Sequence, residues 1–260
     1  MNRVPALFKR LRRDGRCGLI AYVTCGDPDR DTTVRIVEEL ERAGADAIEL
    51  GIPFSDPIAD GPVIQEASHR ALQAGTTTDD VFAIARAIRS RSEIPLIAFS
   101  YLNPVTRYGT ERFARDAAGA GMDAVLLTDL PPEAATELRA TMHQSNLGTI
   151  FLLAPTSTDR RIAAIERVSD GFVYYVSTTG VTGVRRDLDP ALLSRLDQIR
   201  KQIRKPLAVG FGVSQPEHYV ALRSRCDAVV VGSAIVKAVA EGAASGAAER
   251  AGGVVRRILG

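Results

Sequence analysis

A chain of 260 residues, 45% hydrophobic and 25% charged, can bury a large core, and one α/β barrel domain spanning residues 1–260 has this length. A net charge of +2 gives no excess that would favour nucleic acid or a membrane, and no apolar run nears the roughly 18 residues of a membrane span. Three scattered cysteines and three histidines without ligand spacing argue against a disulfide framework and a metal site, and the lack of a signal-peptide run suits a cytoplasmic protein.

The first predicted element is a short amphipathic helix over residues 4–13. Leu7, Phe8 and Leu11 are available to plug the bottom of a barrel, while Lys9, Arg10, Arg12 and Arg13 read as its solvated face. Short apolar runs then recur at residues 19–24, 47–50, 96–100, 124–128, 149–153, 172–177, 207–210 and 228–231, with helical patterns between them. Several are nearly continuous in Val, Ile, Leu and aromatics, as strands covered on both faces should be. The second run ends in ELGIPFSDPIADGP, residues 49–62, where a carboxylate at Glu49 meets a loop carrying Asp56, Asp60 and three prolines. Such punctuation is costly in a helix or strand and natural in a shaped loop. Helices are predicted over residues 63–74 and 79–91, and another begins near Pro190 after the sixth run's long loop, STTGVTGVRRD.

A weak internal repeat supports a modular fold. AGADAIELG from Ala43, AGAGMDAVLLTD from Ala118 and its neighbours, and RCDAVVVG from Arg225 each run from a helix end through Asp into a strand. Eight βα units with right-handed crossovers close most economically into a (βα)8 TIM barrel, here with an extra N-terminal helix and long loops after strands 2 and 6. A doubly wound sheet would call for a glycine-rich dinucleotide turn after the first strand, which CGDPD from Cys25 does not match.

In such a barrel the loops after the strands form the catalytic face. Glu49 should sit on a rigid strand tip with Asp60 nearby on a stiff loop; for a lone Asp in a loop, a solvated turn or a helix cap is the alternative. Gly212, Gly232 and Ser233 fall at the last two strand ends, where backbone N–H groups commonly bind phosphate, and Gly183 could close over them from the sixth loop. Taken singly, these glycines are equally tight turns and Ser233 a helix N-cap. Tyr22, Tyr101, Tyr174 and Phe211 lie near strand ends and serve either a ligand pocket or barrel packing. Lys205 precedes the seventh strand and Lys237 is expected inside the last helix, so imine chemistry is disfavoured and paired carboxylates doing proton transfer are left.

These motifs resemble the α subunit of tryptophan synthase, in order from Leu7 to about Val239. The match is carried by YVTCGDPD, ELGIPFSDPIADGPVIQ, YLNPV, DLPPEA, IFLLAPTSTDRRI, FVYYVSTTGVTG, VGFGVSQPE and VVGSAIVKAV. The resemblance implies cleavage of indole-3-glycerol phosphate to indole and glyceraldehyde 3-phosphate, with Glu49 and Asp60 as catalytic carboxylates and Thr182 helping to place Asp60. It implies that Gly183, Gly212, Gly232 and Ser233 hold the phosphate, and that Tyr22, Phe99, Tyr101, Tyr174 and Phe211 shape the indole pocket. It also implies a β-subunit partner, two α with two β, that carries any pyridoxal phosphate, with no cofactor in this chain. Thr128, Leu102 and Cys25 depart from the family's usual pattern.

The chemistry needs one group that gives a proton to the ring carbon bearing the side chain and another that tolerates the positive charge this creates. Glu49, on an apolar strand, should have its pKa raised by desolvation toward neutrality; Asp60, on a polar loop, should stay ionised. Another phosphate-binding barrel enzyme would require a polar, lysine-containing pocket. A stand-alone indole-3-glycerol phosphate lyase and an idle scaffold that only activates a partner are the remaining alternatives.

Overall fold

The computed structural model describes residues 2–176, 190–210 and 212–260. Among these, one parallel sheet contains β1 (Gly18–Thr24), β2 (Ala47–Gly51), β3 (Leu96–Ser100), β4 (Ala124–Leu127), β5 (Gly148–Ile150), β6 (Leu152–Leu153), β7 (Val173–Val176), β8 (Leu207–Gly210) and β9 (Ala228–Val231). The strand order is β5-β4-β3-β2-β1-β9-β8-β7-β6. Its two ends, β5 and β6, are consecutive pieces of one segment separated by Phe151 alone, so the sheet rolls into an eight-stranded barrel whose fifth strand is interrupted. That interruption is the one departure from the expected run at residues 149–153.

Strand alternation divides the core in two. Ile20, Ala47, Ile97, Ala124, Leu126, Ile150, Phe172, Tyr174, Ala208, Ala228 and Val230 point into the barrel, while Leu19, Ile48, Leu50, Val125, Tyr175, Val209 and Val229 meet the surrounding helices. The bottom of the barrel is closed by the helix Val4–Arg13, which buries Val4, Leu7, Phe8 and Leu11 among the interior residues. Phe8 and Phe172 bring their ring centroids to 5.2 Å. A proline in the helix's first turn and Arg10, Arg12 and Arg13 in its last turn suit the termini they occupy.

The internal repeat has a structural cause. Asp46, Asp123, Asp170 and Asp227 stand just before β2, β4, β7 and β9, and each latches the start of the preceding barrel strand. Their backbone N–H groups donate to the carbonyls of Leu19, Leu96, Thr149 and Leu207 at 2.7–2.8 Å. Their carboxylates in return accept the N–H of the same four residues at 2.8–3.0 Å. A basic side chain pairs with each carboxylate: Arg16 with Asp46, Arg3 and Arg89 with Asp123, His143 with Asp170, and Arg200 with Asp227. One device thus recurs at every second barrel strand.

Helices Pro62–Gln73 and Thr78–Arg89 follow β2, within two residues of expectation. The chain's end requires a correction. Lys237 lies in helix Ser233–Ala240, which is not the last, because Ala247–Leu259 forms a further helix. Its Ala247, Ala251, Val254, Val255 and Ile258 recur at helical spacing and are buried. Gly252 lets it approach the helix Arg30–Arg42, since a Cβ there would lie 2.6 Å from Glu39 Cγ, and Arg256 pairs with Glu39 at 2.6 Å. No helix among the described residues is long and apolar enough to cross a membrane.

Candidate active site

β2 turns Glu49 into the barrel. Its neighbours in register are Tyr22 on β1 and Ile97 on β3, and the residue is 0% exposed. Neither carboxylate oxygen has a hydrogen-bond partner among the described residues. A charge so placed loses its hydration without compensation, and burial pushes the Glu49 carboxyl up to about 8.

Asp60 arrives on the loop after β2. Ile52 N–H donates to Phe99 O at 2.9 Å, Asp60 N–H closes a turn on Pro57 O at 3.0 Å, and Gln65 Nε2 donates to Asp60 O at 2.8 Å. The loop's tip is held by Tyr101, whose hydroxyl accepts from Ala59 N–H at 2.9 Å and donates to Asp60 Oδ2 at 3.0 Å. Desolvation raises the Asp60 carboxyl to about 6, against the opposing pull of the Tyr101 hydrogen bond. The sequence predicts a polar loop; its carboxyl is instead largely desolvated, though a value of about 6 still leaves it mostly ionised at neutral pH. Phe54, whose ring centroid lies 5.2 Å from that of Tyr101, adds apolar surface to this corner.

Aromatic residues line the space between. Tyr22 and Phe99 meet edge to face at 5.1 Å, and Tyr22 and Tyr174 are buried inside the barrel. Both phenols are pushed far above their ordinary range by burial and by the nearby carboxylates Glu49 and Asp60. Two glycines outside the motifs' expected site residues seat these rings. A Cβ on Gly51 would lie 2.2 Å from the Tyr22 hydroxyl oxygen, and one on Gly210 would lie 2.6 Å from that of Tyr174. An inward-facing glycine one strand from an inward-facing tyrosine is the signal that would have found them.

Three of the candidate phosphate residues, Gly212, Gly232 and Ser233, follow the paired strands β8 and β9. Gly212, two residues beyond β8, has φ +51° and open space where a Cβ would be. Gly232 follows β9 and caps the helix Ser233–Ala240, without any side-chain cap bond. Ser233 is therefore the first helical residue and not the N-cap. Thr182, Gly183 and Phe211 lie outside the described residues. Lys205 is spent at the other end of the barrel, its Nζ donating to the carbonyls of Glu166 and Ser169 at 2.6 and 2.5 Å.

Fold and site together define a (βα)8 barrel that holds two carboxyls of raised pKa, Glu49 on β2 and Asp60 on the loop that follows it. The comparisons with known proteins are specific. The family model described as tryptophan synthase alpha chain matches residues 8–256. The tryptophan synthase alpha chain of Solibacter usitatus is 55% identical over 249 residues, covering 96% of this chain and 93% of that protein. Tryptophan synthase subunit alpha from Legionella pneumophila superposes with a TM-score of 0.91 at 36% identity, covering 99% of this chain and 97% of the other. A chain of the tryptophan synthase α2β2 complex from Pyrococcus furiosus gives 0.89 at 40% identity, covering 93% and 97%. The chain belongs to the tryptophan synthase alpha chain family.

Proposed function

We propose that this chain cleaves indole-3-glycerol phosphate to indole and glyceraldehyde 3-phosphate by a retro-aldol reaction in tryptophan biosynthesis. The observation that carries the reading is Glu49, a carboxyl buried inside the barrel with no hydrogen-bond partner among the described residues and pushed up to about 8, so that it keeps its proton at neutral pH. Glu49 gives its proton to the ring carbon bearing the side chain. As the carbon–carbon bond breaks, the proton of the adjacent hydroxyl leaves, and the bonding pair restores the aromatic ring; the carboxylate of Glu49 is the base that takes it. Asp60, largely ionised at neutral pH, accepts from the indole N–H and stabilises the cationic intermediate.

Tyr22, Phe99, Tyr101 and Tyr174 form the apolar walls for the indole, with Phe211 added from beyond β8. Gly212 after β8, Gly232 and Ser233 at a helix N-terminus, and Gly183 supply backbone N–H groups for the phosphate, and Thr182 helps to place Asp60. The whole chain acts as one barrel domain in the cytoplasm and joins a tryptophan synthase β subunit, two α with two β. Pyridoxal phosphate belongs to that partner, since neither Lys205 nor Lys237 is placed to hold it at this site.

Turnover of indole-3-glycerol phosphate by the purified chain, alone and with a β subunit, tests the reading. Wild-type cleavage, lost by roughly 100-fold or more in Glu49→Gln and Asp60→Asn while substrate affinity changes little, is the expected result. A Glu49→Gln chain with near-normal turnover would assign the proton transfer elsewhere.

A further inference from the structure

Tyr101 is only 3% exposed, and its hydroxyl bonds outside its own stretch of chain. It reaches across to a different loop, accepting from Ala59 N–H at 2.9 Å and donating to Asp60 Oδ2 at 3.0 Å. The backbone on both sides of Tyr101 is in turn gripped by two consecutive residues at the end of β4. Thr128 donates its N–H and its hydroxyl to Ser100 O at 3.0 and 3.4 Å, and Leu102 N–H donates to Asp129 Oδ1 at 2.7 Å. The ring needs no hydroxyl to serve as a wall, and Phe54 already lies against it.

We propose that Tyr101 is a positioning residue for the lyase reaction: its hydroxyl orients the Asp60 carboxylate and favours its ionised form, and Thr128 and Asp129 hold Tyr101 in place to do so. The inference rests on the proposed reaction for its catalytic meaning, and on geometry alone for the clamp. A hydrogen bond donated to a carboxylate favours the charged form, so the clamp acts against the desolvation that Asp60 suffers. The other ionisable groups that face Asp60 among the described residues are phenols, Tyr22 on β1 and Tyr174 on β7, with Glu49 on β2 acting on the same two. Both phenols stay neutral across the working range, so among the described residues Tyr101 is the ionisable group that touches this carboxyl directly.

The test uses Tyr101→Phe, which keeps the ring, with Thr128→Val and the conservative Thr128→Ser. Two readouts are taken on the full chain: the titration midpoint of the Asp60 side-chain carbon by ¹³C NMR, and the pH profile of kcat and KM for indole-3-glycerol phosphate with a β subunit present. In Tyr101→Phe the midpoint and the acid limb of kcat should rise together by about one pH unit, with KM little changed. Thr128→Val should move both in the same direction by less, and Thr128→Ser should restore them. A Tyr101→Phe chain with the wild-type midpoint and acid limb overturns the proposal and makes Tyr101 a wall of the pocket only. Should the wild type fail to cleave the substrate, the proposed reaction falls, while the NMR midpoint still decides the clamp.

Discussion

Glu49 is placed where an ionised side chain is least welcome, and the consequence can be read in stability as well as rate. Its folded-state carboxyl titrates at about 8 against an ordinary value of 4.5. Between those values the folded chain holds a proton that the unfolded chain has released, so stability falls as pH rises through this window. At pH 9 the penalty is on the order of 5 kcal/mol, because each tenfold difference in proton affinity between the two states is worth about 1.4 kcal/mol. Glu49→Gln removes it, so the inactive variant should gain on the wild type progressively from about pH 4.5 to about pH 8, with a constant advantage above and little difference below that range. Thermal melts of both chains from about pH 5 to 9, spanning that titration, check this. Parallel curves would mean that Glu49 finds a partner in solution. The raised pKa of Glu49 was legible in the sequence because a Glu inside an apolar strand has few ways to stay hydrated. That of Asp60 was not, because its burial comes from Tyr101 and Phe54, residues brought beside it by other parts of the chain.

At the scale of elements, the aspartate latches explain why the barrel strands start where they do. Asp123 shows the arrangement most fully: it is 1% exposed, accepts from the N–H groups of Arg3 and Leu96, and pairs with the guanidinium groups of Arg3 and Arg89. Asp123→Ala would leave the N–H groups of Arg3 and Leu96 without their carboxylate acceptor and take one anion from Arg3 and Arg89, which keep Glu93 and the carbonyls of Ser92 and Gly121. Breaking such a buried set typically costs on the order of 3 kcal/mol, so the urea midpoint should fall markedly, while Asp123→Asn keeps one acceptor and should lose less. Equal losses in the two variants would assign the effect to packing. Three of the four latches were visible as a repeat because they follow an Ala-Asp, Met-Asp or Cys-Asp step out of a helix. Asp170 was not, since it sits in Ser-Asp-Gly, which reads as a turn. The eight strands were legible from their apolar runs, but Phe151 keeps the run continuous where the ladder breaks. The helix Ala247–Leu259 went unassigned because Ala and Gly fill much of its buried face, where Leu or Ile would have announced it.

At the scale of the molecule, the loop that carries Asp60 also bears the most exposed large hydrophobic side chain among the described residues. Ile58 is 86% exposed, and Ser55, Asp56 and Ala59 around it are exposed as well. Two residues from this isoleucine, Asp60 is bonded to Tyr101, so a partner that seats Ile58 grips the segment that positions the carboxylate. Binding to one state of a loop shifts its population by the difference in affinity between states; if the productive arrangement is populated about 1% in the free chain, roughly 2.7 kcal/mol of preference brings it to half. A tryptophan synthase β subunit should therefore raise turnover of indole-3-glycerol phosphate severalfold or more. Covering an isoleucine contributes about 1.5–3 kcal/mol, so Ile58→Asp should weaken β binding by at least about tenfold in calorimetry. Because Ile58 takes no part in the chemistry, saturating β subunit should bring the variant's turnover back toward that of the wild type. Weakened binding with full recovery at saturation places Ile58 in the docking surface. Unchanged affinity would move that surface elsewhere, and unchanged wild-type turnover on adding β would favour a self-sufficient lyase that releases indole to solvent.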